Sequence, residues 1–448
     1  MALERLQNKK VVLVGFGDAN KSFYSVLRKR YPELLITIAD QNEDLDLPED
    51  SYVKSILGKE TYLKTLSEFD VIVRSPGMPV DNNLADFTDR VTTTTQLFFE
   101  EVRGTSKAKI IGVTGTKGKS TVSTLIHEIL KAAGKKSFLV GNINIQAWDN
   151  IEEVDGDSII VYELSSYMLN DFTDRSDISV WLNVYDDHLT WHGGREGYVE
   201  AKSRVASFQK SSDVCVYNGA DDEVGKRVKD FCVTKQPYNI QPGFHIEDGF
   251  ICDGDKKVIP VSDIKLIGSH VHENILAVLL VSRHLKISME VVAGVLRTFD
   301  SLPHRLETVA VVNGVSFVDD LLATNPEATM AAIDSYTNVS CLILGGEDRG
   351  YDYVRLGKHV TEKHIPYVVL LPGCREKILR SLNGYAGEIF EANIVADAVT
   401  FCFQKATGQS TVLFSPSAPS YDQFANYKEK AIAFKSAIDE VVKDGLST

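Results

Sequence analysis

The feature that most constrains the fold of this chain is a glycine-rich turn within residues 109–121, which run KIIGVTGTKGKST. The apolar start of this stretch predicts a buried strand, and apolar residues at helical spacing over residues 122–133 predict a helix. Glycines allow successive backbone N–H groups to face one concavity, and the helix N-terminus adds positive potential that attracts phosphate oxygens. The turn therefore predicts a nucleotide-binding α/β domain.

The turn departs at one position from the common phosphate-loop pattern G-x-x-x-x-G-K-[ST]. That pattern places its first glycine at Val113, whereas the glycine here is Gly112. In the pattern, Lys119 reaches the outer phosphates and the Ser120 hydroxyl binds Mg²⁺. An ordinary glycine-rich turn would account for the glycines, but not for the Gly-Lys-Ser-Thr at its end.

Length and charge limit the classes of function. A chain of 448 residues is too long for one core and suggests two to four domains. Its formal net charge of −14 argues against nucleic acid or an anionic membrane as a partner. Anionic small ligands remain compatible with this charge, provided that local cationic pockets such as the phosphate loop hold them.

The cysteines and the apolar runs indicate the compartment. The six cysteines are scattered without a C-x-x-C pair, which is typical of free thiols in a reducing cytosol. No apolar run approaches the ~20 residues that span a bilayer, and no signal-like segment follows Met1. We therefore expect a cytoplasmic protein.

The first hundred residues have the pattern of a second nucleotide-binding fold. A predicted strand ends at Gly15 and Gly17, and the next predicted strand leads to Asp40, where a dinucleotide fold places its ribose-binding acid. The third glycine of G-x-G-x-x-G is replaced by Asn20. An ordinary βα turn and a nucleotide or nucleotide-sugar cradle both fit this pattern. A further predicted strand leads into the Ser75-Pro76-Gly77 turn.

Polar clusters follow the strands predicted after the phosphate loop, and we expect them to meet at one edge of a parallel sheet. Glu163 at a strand end can hold Mg²⁺ together with Ser120, although an acid that caps a surface loop would look the same. His188, beside two acids, is a candidate for a second metal or for substrate, or a structural histidine. Lys202, on local chemistry alone, is an exposed lysine of a predicted helix.

The last third of the chain opens with an Asn-Gly hairpin signal at residues 313–314 and continues as alternating strands and helices. Its strand-end loops carry cations and hydroxyl groups, including Arg305, Arg349 and Ser420. Each loop alone is compatible with ordinary loop chemistry, but several of them in one domain favour an anionic substrate.

Together these motifs resemble the Mur ligase family over nearly the whole chain. The matching segments are residues 115–121, 163–167, 183–188, 198–202, 268–274, 302–305 and 320–325. The resemblance implies an α/β fold of three domains: a Rossmann-like UDP-substrate-binding domain (residues 1–104), a central P-loop-type ATPase domain (105–302) and a Rossmann-like amino-acid-binding domain (303–448).

The resemblance also implies an activity. It is greatest to the members that add D-glutamate to UDP-N-acetylmuramoyl-L-alanine in peptidoglycan precursor synthesis. Such enzymes consume ATP, form an acyl phosphate and use two Mg²⁺ ions, and the resemblance implies a monomer.

Residue roles follow from the same resemblance. The expected catalytic residues are Lys119, Glu163, His188 and Lys202; the expected metal ligands are Ser120, Glu163, His188 and Lys202, the last as a carbamate. The expected ATP-binding residues are Gly115, Thr116, Lys117, Gly118, Lys119, Ser120, Thr121, Asn142, Asn274, Arg305 and Asp320. The expected substrate-binding residues are Gly15, Gly17, Asp40, Ser75, Gly77, Ser165, Thr324, Arg349, Ser420 and Tyr427.

Departures from the family pattern lie mainly in the amino-acid pocket. Leu322 stands where the family has lysine, Arg349 where it has lysine, and Tyr427 where it has phenylalanine. Addition of L-glutamate or another amino acid is therefore an open alternative. A folylpolyglutamate-synthase-like ligase is a second alternative, against which the additional first domain argues. A relative that binds nucleotide without catalysis is a third, because of Leu322.

Overall fold

The computed structural model describes residues 2–79, 82–143 and 145–445, and three large sheets with helices beside them dominate it. Two of the sheets are wholly parallel and the third carries one antiparallel edge strand. The predicted α/β class is confirmed. The strands are short and apolar because both faces of a parallel sheet are covered.

The first sheet has five parallel strands in the order β3-β2-β1-β4-β5. Its strands are β1 (Val11–Val14), β2 (Ile36–Asp40), β3 (Val53–Leu57), β4 (Val71–Arg74) and β5 (Val91–Thr93). Its helices are α1 (Asp18–Arg30), α2 (Asn82–Ala85) and α3 (Thr94–Thr105). The strand order reverses between β1 and β4, so the loops after these two strands flank a crevice where ligands of such sheets bind.

The second sheet has six parallel strands in the order β11-β10-β9-β6-β8-β7. They are β6 (Lys109–Thr114), β7 (Ser137–Gly141), β8 (Ile159–Glu163), β9 (Ile178–Trp181), β10 (Val214–Asn218) and β11 (Thr234–Tyr238). The helices among them are α4 (Lys119–Ala132), α5 (Ser166–Leu169), α6 (Arg195–Ser207) and α7 (Asp222–Val228). The central position of β6 places the glycine-rich turn at the middle of the carboxyl edge.

A small antiparallel sheet and two helices follow. The sheet consists of β12 (Phe244–Glu247), β13 (Phe250–Asp253) and β14 (Lys256–Pro260), and the helices are α8 (Ser269–His284) and α9 (Met289–Thr298).

The third sheet has six strands in the order β15-β16-β20-β17-β18-β19. They are β15 (Glu307–Val312), β16 (Val315–Asp319), β17 (Val339–Gly346), β18 (Tyr367–Gly373), β19 (Glu388–Glu391) and β20 (Thr411–Phe414). The helices are α10 (Pro326–Asp334), α11 (Val354–Glu362), α12 (Arg375–Ser381), α13 (Val395–Lys405) and α14 (Tyr427–Gly445). The predicted hairpin is confirmed, since Asn313 (φ 51°) and Gly314 (φ 82°) connect antiparallel β15 and β16.

The chain forms two compact units, Met1–Asp263 with Glu273–Arg297, and Ile264–His272 with Thr298–Thr448. Within the first unit, helices of the first sheet share an aromatic core with the second sheet. Phe98 lies 5.6 Å from Trp148, and Phe99 lies 5.3 Å from Tyr162, between ring centroids. The domain boundaries expected at residues 104 and 302 remain predictions.

Among the helices of the described segments, none combines the length and apolar character that a bilayer crossing requires.

Candidate functional site

The glycine-rich turn joins β6 to α4, as its sequence predicts. Gly118 is the residue before α4 and has a φ of 85°, which favours glycine. A Cβ on Gly118 would lie 2.4 Å from the Asn274 side-chain nitrogen, so any other residue at this position would displace the Asn274 side chain. Ser120 and Thr121 lie in the first turn of α4, where unpaired N–H groups and the helix dipole attract anions.

Gly112, which the pattern treats as a displaced loop glycine, is not part of the turn. It lies inside β6, where a Cβ would sit 2.3 Å from Ser176 Oγ and 3.0 Å from Leu164 Cδ1. The glycine is required by packing beside the strand. The interpretation of Gly112 as the first glycine of the phosphate loop is wrong, and the loop glycines are Gly115 and Gly118.

Two lysines converge on the turn. Lys119 Nζ donates to the carbonyl oxygens of Gly115 and Thr116 at 3.0 and 3.1 Å, and Lys202 Nζ donates to the same Gly115 oxygen at 2.9 Å. Lys202 is 1% exposed and its Nζ lies 4.7 Å from the centre of the Tyr198 ring. Burial lowers the pKa of Lys202 well below its usual range, and the charge of Lys119 lowers it further. The interpretation of Lys202 as an exposed helix lysine is therefore wrong.

Glu163 ends β8 and is 1% exposed. One carboxylate oxygen accepts a hydrogen bond from Asn142 Nδ2 at 3.0 Å, and the other is buried with no hydrogen-bond partner in the described part of the chain. Its negative charge raises the pKa of Lys202, against the larger lowering that burial causes. A buried carboxylate oxygen that lacks a donor fits a hard cation such as Mg²⁺, so a surface acid that caps a loop is excluded.

His188 follows β9 in the left-handed region, with a φ of 52°. Its Nδ1 lies 3.6 Å from an Asp187 carboxylate oxygen, and its ring lies 5.0 Å from that of Tyr167. Burial lowers the pKa of His188, and the positive charges of Lys202, Lys117 and Lys119 act in the same direction. The imidazole is therefore neutral near pH 7 and keeps a lone pair available to a metal or a proton donor.

Hydrogen bonds that the sequence patterns did not predict hold the turn in place. The Thr116 hydroxyl lies 2.9 Å from the Tyr198 hydroxyl and accepts the Tyr185 backbone N–H at 2.9 Å. The Asn183 amide accepts from the Lys117 N–H at 2.9 Å and donates to the Lys117 carbonyl at 3.1 Å. Only the position of Asn183 after a strand could have indicated this role. Ser165 caps α5 by accepting the Met168 N–H at 3.3 Å.

The expected first-sheet residues meet beside the crevice between β1 and β4. A Cβ on Gly15 would lie 2.9 Å from Ser75 Cβ, so the two turns touch. Asp40 Oδ2 accepts the Phe16 N–H at 2.7 Å, which fixes the first turn. Asn20, in place of the third glycine, donates to the Gly15 carbonyl at 2.7 Å. Asp40 and Asn20 thus shape a compact turn, and Gly17 and Gly77 have open space at their Cα atoms.

In the second compact unit, Asp320 is buried at the end of β16. Its carboxylate accepts the Ser415 hydroxyl at 2.7 Å and the Leu306 N–H at 3.3 Å. Burial raises the pKa of Asp320 to about 7, despite the opposing charge of Arg305. Arg305 and Asp320 therefore lie close together, as expected for residues of one site.

Loops after β17 and β20 bring part of the expected amino-acid pocket together. The Arg349 guanidinium lies 5.8 Å from the centre of the Tyr421 ring, and its Nε donates to Glu347 at 2.8 Å. Ser420 is 3% exposed, and its hydroxyl has no hydrogen-bond partner among the described residues. Tyr427 packs on His304, with ring centroids 5.4 Å apart. Thr324 lies just before α10, and no described contact ties it to this group.

Comparison with known proteins places these arrangements in context. The sequence model of the Mur ligase middle domain matches residues 113–282. The chain is 32% identical to UDP-N-acetylmuramoylalanine–D-glutamate ligase of Lachnoclostridium phytofermentans, over 96% of this chain and 98% of the relative. It is 30% identical to the enzyme of the same name from Bacillus subtilis, over 97% and 98% of the two chains.

A solved structure shares the fold over nearly the full length. It is the crystal structure of MurF ligase from Thermotoga maritima in complex with ADP, at a TM-score of 0.62 and 16% identity. The similarity covers 98% of this chain and 97% of that one.

Proposed function

The chain belongs to the Mur ligase family, and from this we propose that it joins glutamate to UDP-N-acetylmuramoyl-L-alanine with consumption of ATP. The names of its relatives, which it matches over about 98% of their length, support this substrate pair. The observation that carries the chemistry is the convergence of Lys119, Lys202 and Glu163 at the carboxyl edge of the second sheet.

The reaction needs an activated carboxylate, because a free carboxylate is a poor electrophile. A carboxylate oxygen of the substrate attacks the γ-phosphorus of ATP, ADP leaves, and an acyl phosphate remains. The amino nitrogen of glutamate then attacks the carbonyl carbon, and inorganic phosphate departs as the amide forms. We propose that Lys119 and the N–H groups of the turn hold the transferred phosphoryl group and stabilise its charge.

The proposed nucleotide-binding residues form two groups, one in each compact unit. In the first unit the turn supplies N–H groups. The Asn274 side chain lies against Gly118 of the turn, and Asn142 donates a hydrogen bond to Glu163. In the second unit Arg305 and Asp320 are proposed nucleotide residues. The full proposed set is Gly115, Thr116, Lys117, Gly118, Lys119, Ser120, Thr121, Asn142, Asn274, Arg305 and Asp320.

We propose that Ser120 and Glu163 hold one Mg²⁺ ion, because the second Glu163 oxygen is buried and accepts no hydrogen bond from the residues that the structure describes. His188 and Lys202 are the proposed ligands of a second ion. Bound Mg²⁺ would neutralise phosphate charge. Lys202 qualifies as a ligand only as a carbamate, because Mg²⁺ prefers oxygen ligands and a carbamate offers two oxygens. Its lowered pKa leaves a neutral amine that can react with CO₂.

The nucleotide part of the sugar substrate is assigned to the crevice between β1 and β4. The residues proposed to bind it are Gly15, Gly17, Asp40, Ser75 and Gly77, which lie at or beside this crevice. Ser165 is proposed to bind the substrate nearer the phosphate loop. Functional domains of residues 1–104, 105–302 and 303–448 are part of the same proposal.

Thr324, Arg349, Ser420 and Tyr427 are the proposed amino-acid residues. The unpartnered Ser420 hydroxyl and the Arg349 guanidinium offer a donor and a cation for the carboxylates of glutamate. Because a guanidinium and a tyrosine replace the family's lysine and phenylalanine, L-glutamate is the second candidate substrate.

Phosphate release tests this function. Purified protein is given UDP-N-acetylmuramoyl-L-alanine, ATP and Mg²⁺ with either D-glutamate or L-glutamate. Release with D-glutamate, absent without amino acid, is the expected result. Release with L-glutamate alone would replace the D-glutamate assignment, and no release with either would contradict a ligase.

We further propose that the enzyme acts as a cytoplasmic monomer without nucleic-acid or membrane partners, since its proposed substrates are cytoplasmic.

A further inference from the structure

Trp191 connects the two parallel sheets of the first compact unit near the proposed catalytic edge. It lies in the turn after His188, where its backbone N–H donates to the His188 carbonyl at 3.1 Å. Its indole Nε1–H donates to the Gly77 carbonyl at 3.1 Å, in the turn after β4. One side chain thus joins the first-sheet crevice to the loop that carries His188.

Aromatic neighbours hold the indole in place on the catalytic side. The Trp191 ring meets Tyr167 edge-on, with centroids 4.7 Å apart at 76°, and Tyr167 in turn lies 5.0 Å from His188. His192 packs against both rings, with its centroid 4.5 Å from that of Trp191 and 5.8 Å from that of Tyr167. Edge-to-face packing of this kind restrains ring orientation.

The acceptor of the indole N–H is also held in place. Arg74 is fully buried and donates to the carbonyl oxygens of Ser75 and Pro76 at 3.1 and 3.0 Å, and to that of Met78. Its guanidinium also bonds Asp171 at 2.6 and 3.0 Å. The turn that contains Gly77 is therefore braced from within, and the indole attached to it has a fixed position.

Solvent exposure separates Trp191 from the other tryptophans. Trp148 and Trp181 are 2% and 0% exposed and belong to the core, whereas Trp191 is half-buried. A fixed indole that keeps exposed surface beside a ligand crevice is a ready stacking surface, because its apolar ring can cover the C–H face of a ligand.

We propose that the Trp191 indole is the stacking platform for the sugar ring of the nucleotide-sugar substrate. This rests on the proposed function, which places the nucleotide at the first-sheet crevice and the reacting carboxylate at the phosphate loop. The sugar is the part of the substrate between these ends, and the Trp191 side chain contacts both the Gly77 turn and, through Tyr167, the His188 loop.

The test compares two variants and two ligands by calorimetric titration. Trp191→Phe keeps an aromatic ring but removes the N–H donor to Gly77, whereas Trp191→Ala removes both. The ligands are UDP-N-acetylmuramoyl-L-alanine and UDP. We expect Trp191→Ala to weaken the sugar nucleotide about tenfold, or ~1.4 kcal/mol, with UDP unchanged, and Trp191→Phe to bind both ligands within about threefold of wild type.

Tryptophan fluorescence gives a second readout that does not depend on turnover. The sugar nucleotide should change the emission of the wild type more than UDP does, and this difference should vanish in Trp191→Phe although binding persists. Equal sugar-nucleotide affinity in Trp191→Ala and wild type would overturn the platform. If the affinities for both ligands fell equally in Trp191→Phe and Trp191→Ala, the platform would also be overturned, and the lost hydrogen bond from the indole N–H to Gly77 would be the cause. If the wild type binds UDP and the sugar nucleotide with equal affinity, the platform alone is refuted. If it binds neither ligand, the proposed function is refuted as well.

Discussion

Lys119 and Lys202 donate to one acceptor, the carbonyl oxygen of Gly115, at 3.0 and 2.9 Å. Two ammonium groups on one oxygen repel each other, and Lys202 is fully buried, so its charged form is disfavoured twice. Lys119 must keep its charge to bind phosphate. The arrangement therefore favours a neutral Lys202 amine, which is the form that carbamylation requires.

Replacement of Lys202 tests the carbamate. We expect Lys202→Ala to lower kcat by roughly 10²-fold or more, as loss of one fixed charge-stabilising group does. Short carboxylic acids should restore part of the activity by occupying the vacated volume. In ¹³C NMR with labelled bicarbonate, wild type should show a carbamate signal that Lys202→Ala lacks. Lys210→Ala, at an exposed lysine three residues beyond α6, is the matched control. A wild type without this signal would contradict the carbamate.

Lys119→Ala should abolish phosphate release and leave the fold intact. The side chain is partly exposed and its Nζ donates to the carbonyl oxygens of Gly115 and Thr116, so its loss removes the phosphate contact without a cavity in the core. We expect a loss of roughly 10²–10³-fold in kcat. A free energy of unfolding within about 1 kcal/mol of the wild-type value, measured by thermal denaturation, shows that the fold persists. Activity near the wild-type level would exclude the proposed role of the turn.

The sequence was informative where a single local rule decides the structure. The turn after β6, the hairpin at Asn313-Gly314 and the polar strand ends followed from glycine chemistry, turn type and parallel-sheet topology. Burial of Lys202 did not follow, because it depends on how α6 packs against the turn. The role of Gly112 was also hidden, since its neighbour Ser176 is distant in sequence and only tertiary packing brings the two together.

Gly112→Ala should destabilise the first compact unit, because its Cβ would lie 2.3 Å from Ser176 Oγ. We expect a loss of about 1–3 kcal/mol in the free energy of unfolding, measured with denaturant. Within the described ranges Ser176 Oγ is buried without a hydrogen-bond partner, so Ser176→Ala should be nearly neutral and should recover part of the loss in the double variant. Gly225→Ala, which meets open space in α7, is the control and should not destabilise. Additive effects of the two substitutions would refute this contact.

Asp320 should make stability depend on pH. Burial raises its folded pKa to about 7 from an ordinary value of 3.8, so the folded state holds a proton that the unfolded state releases between these values. Stability should therefore be greatest at low pH within this window and fall as pH rises from about 4 to 7, by up to ~1.4 kcal/mol per unit. Asp320→Asn should flatten this profile in denaturant titrations at pH 5 and 7.5. Exposed Asp439→Asn should leave it unchanged, and an unaltered slope in Asp320→Asn would contradict the assignment.

Arg349→Lys tests which part of the third-sheet pocket recognises the amino acid. The guanidinium is planar, lies 5.8 Å from the Tyr421 ring centre and is oriented by Glu347, whereas an ammonium would keep the charge but lose the fork and the ring contact. We expect KM for glutamate to rise about five- to tenfold, with KM for ATP within twofold, because only the carboxylate contact changes. Arg355→Lys, at a 77% exposed side chain on α11, is the matched control and should change neither constant. The ratio of kcat/KM for D- and L-glutamate should shift in Arg349→Lys if the fork sets stereochemical preference. An unchanged KM for both isomers would place the amino-acid carboxylates away from Arg349.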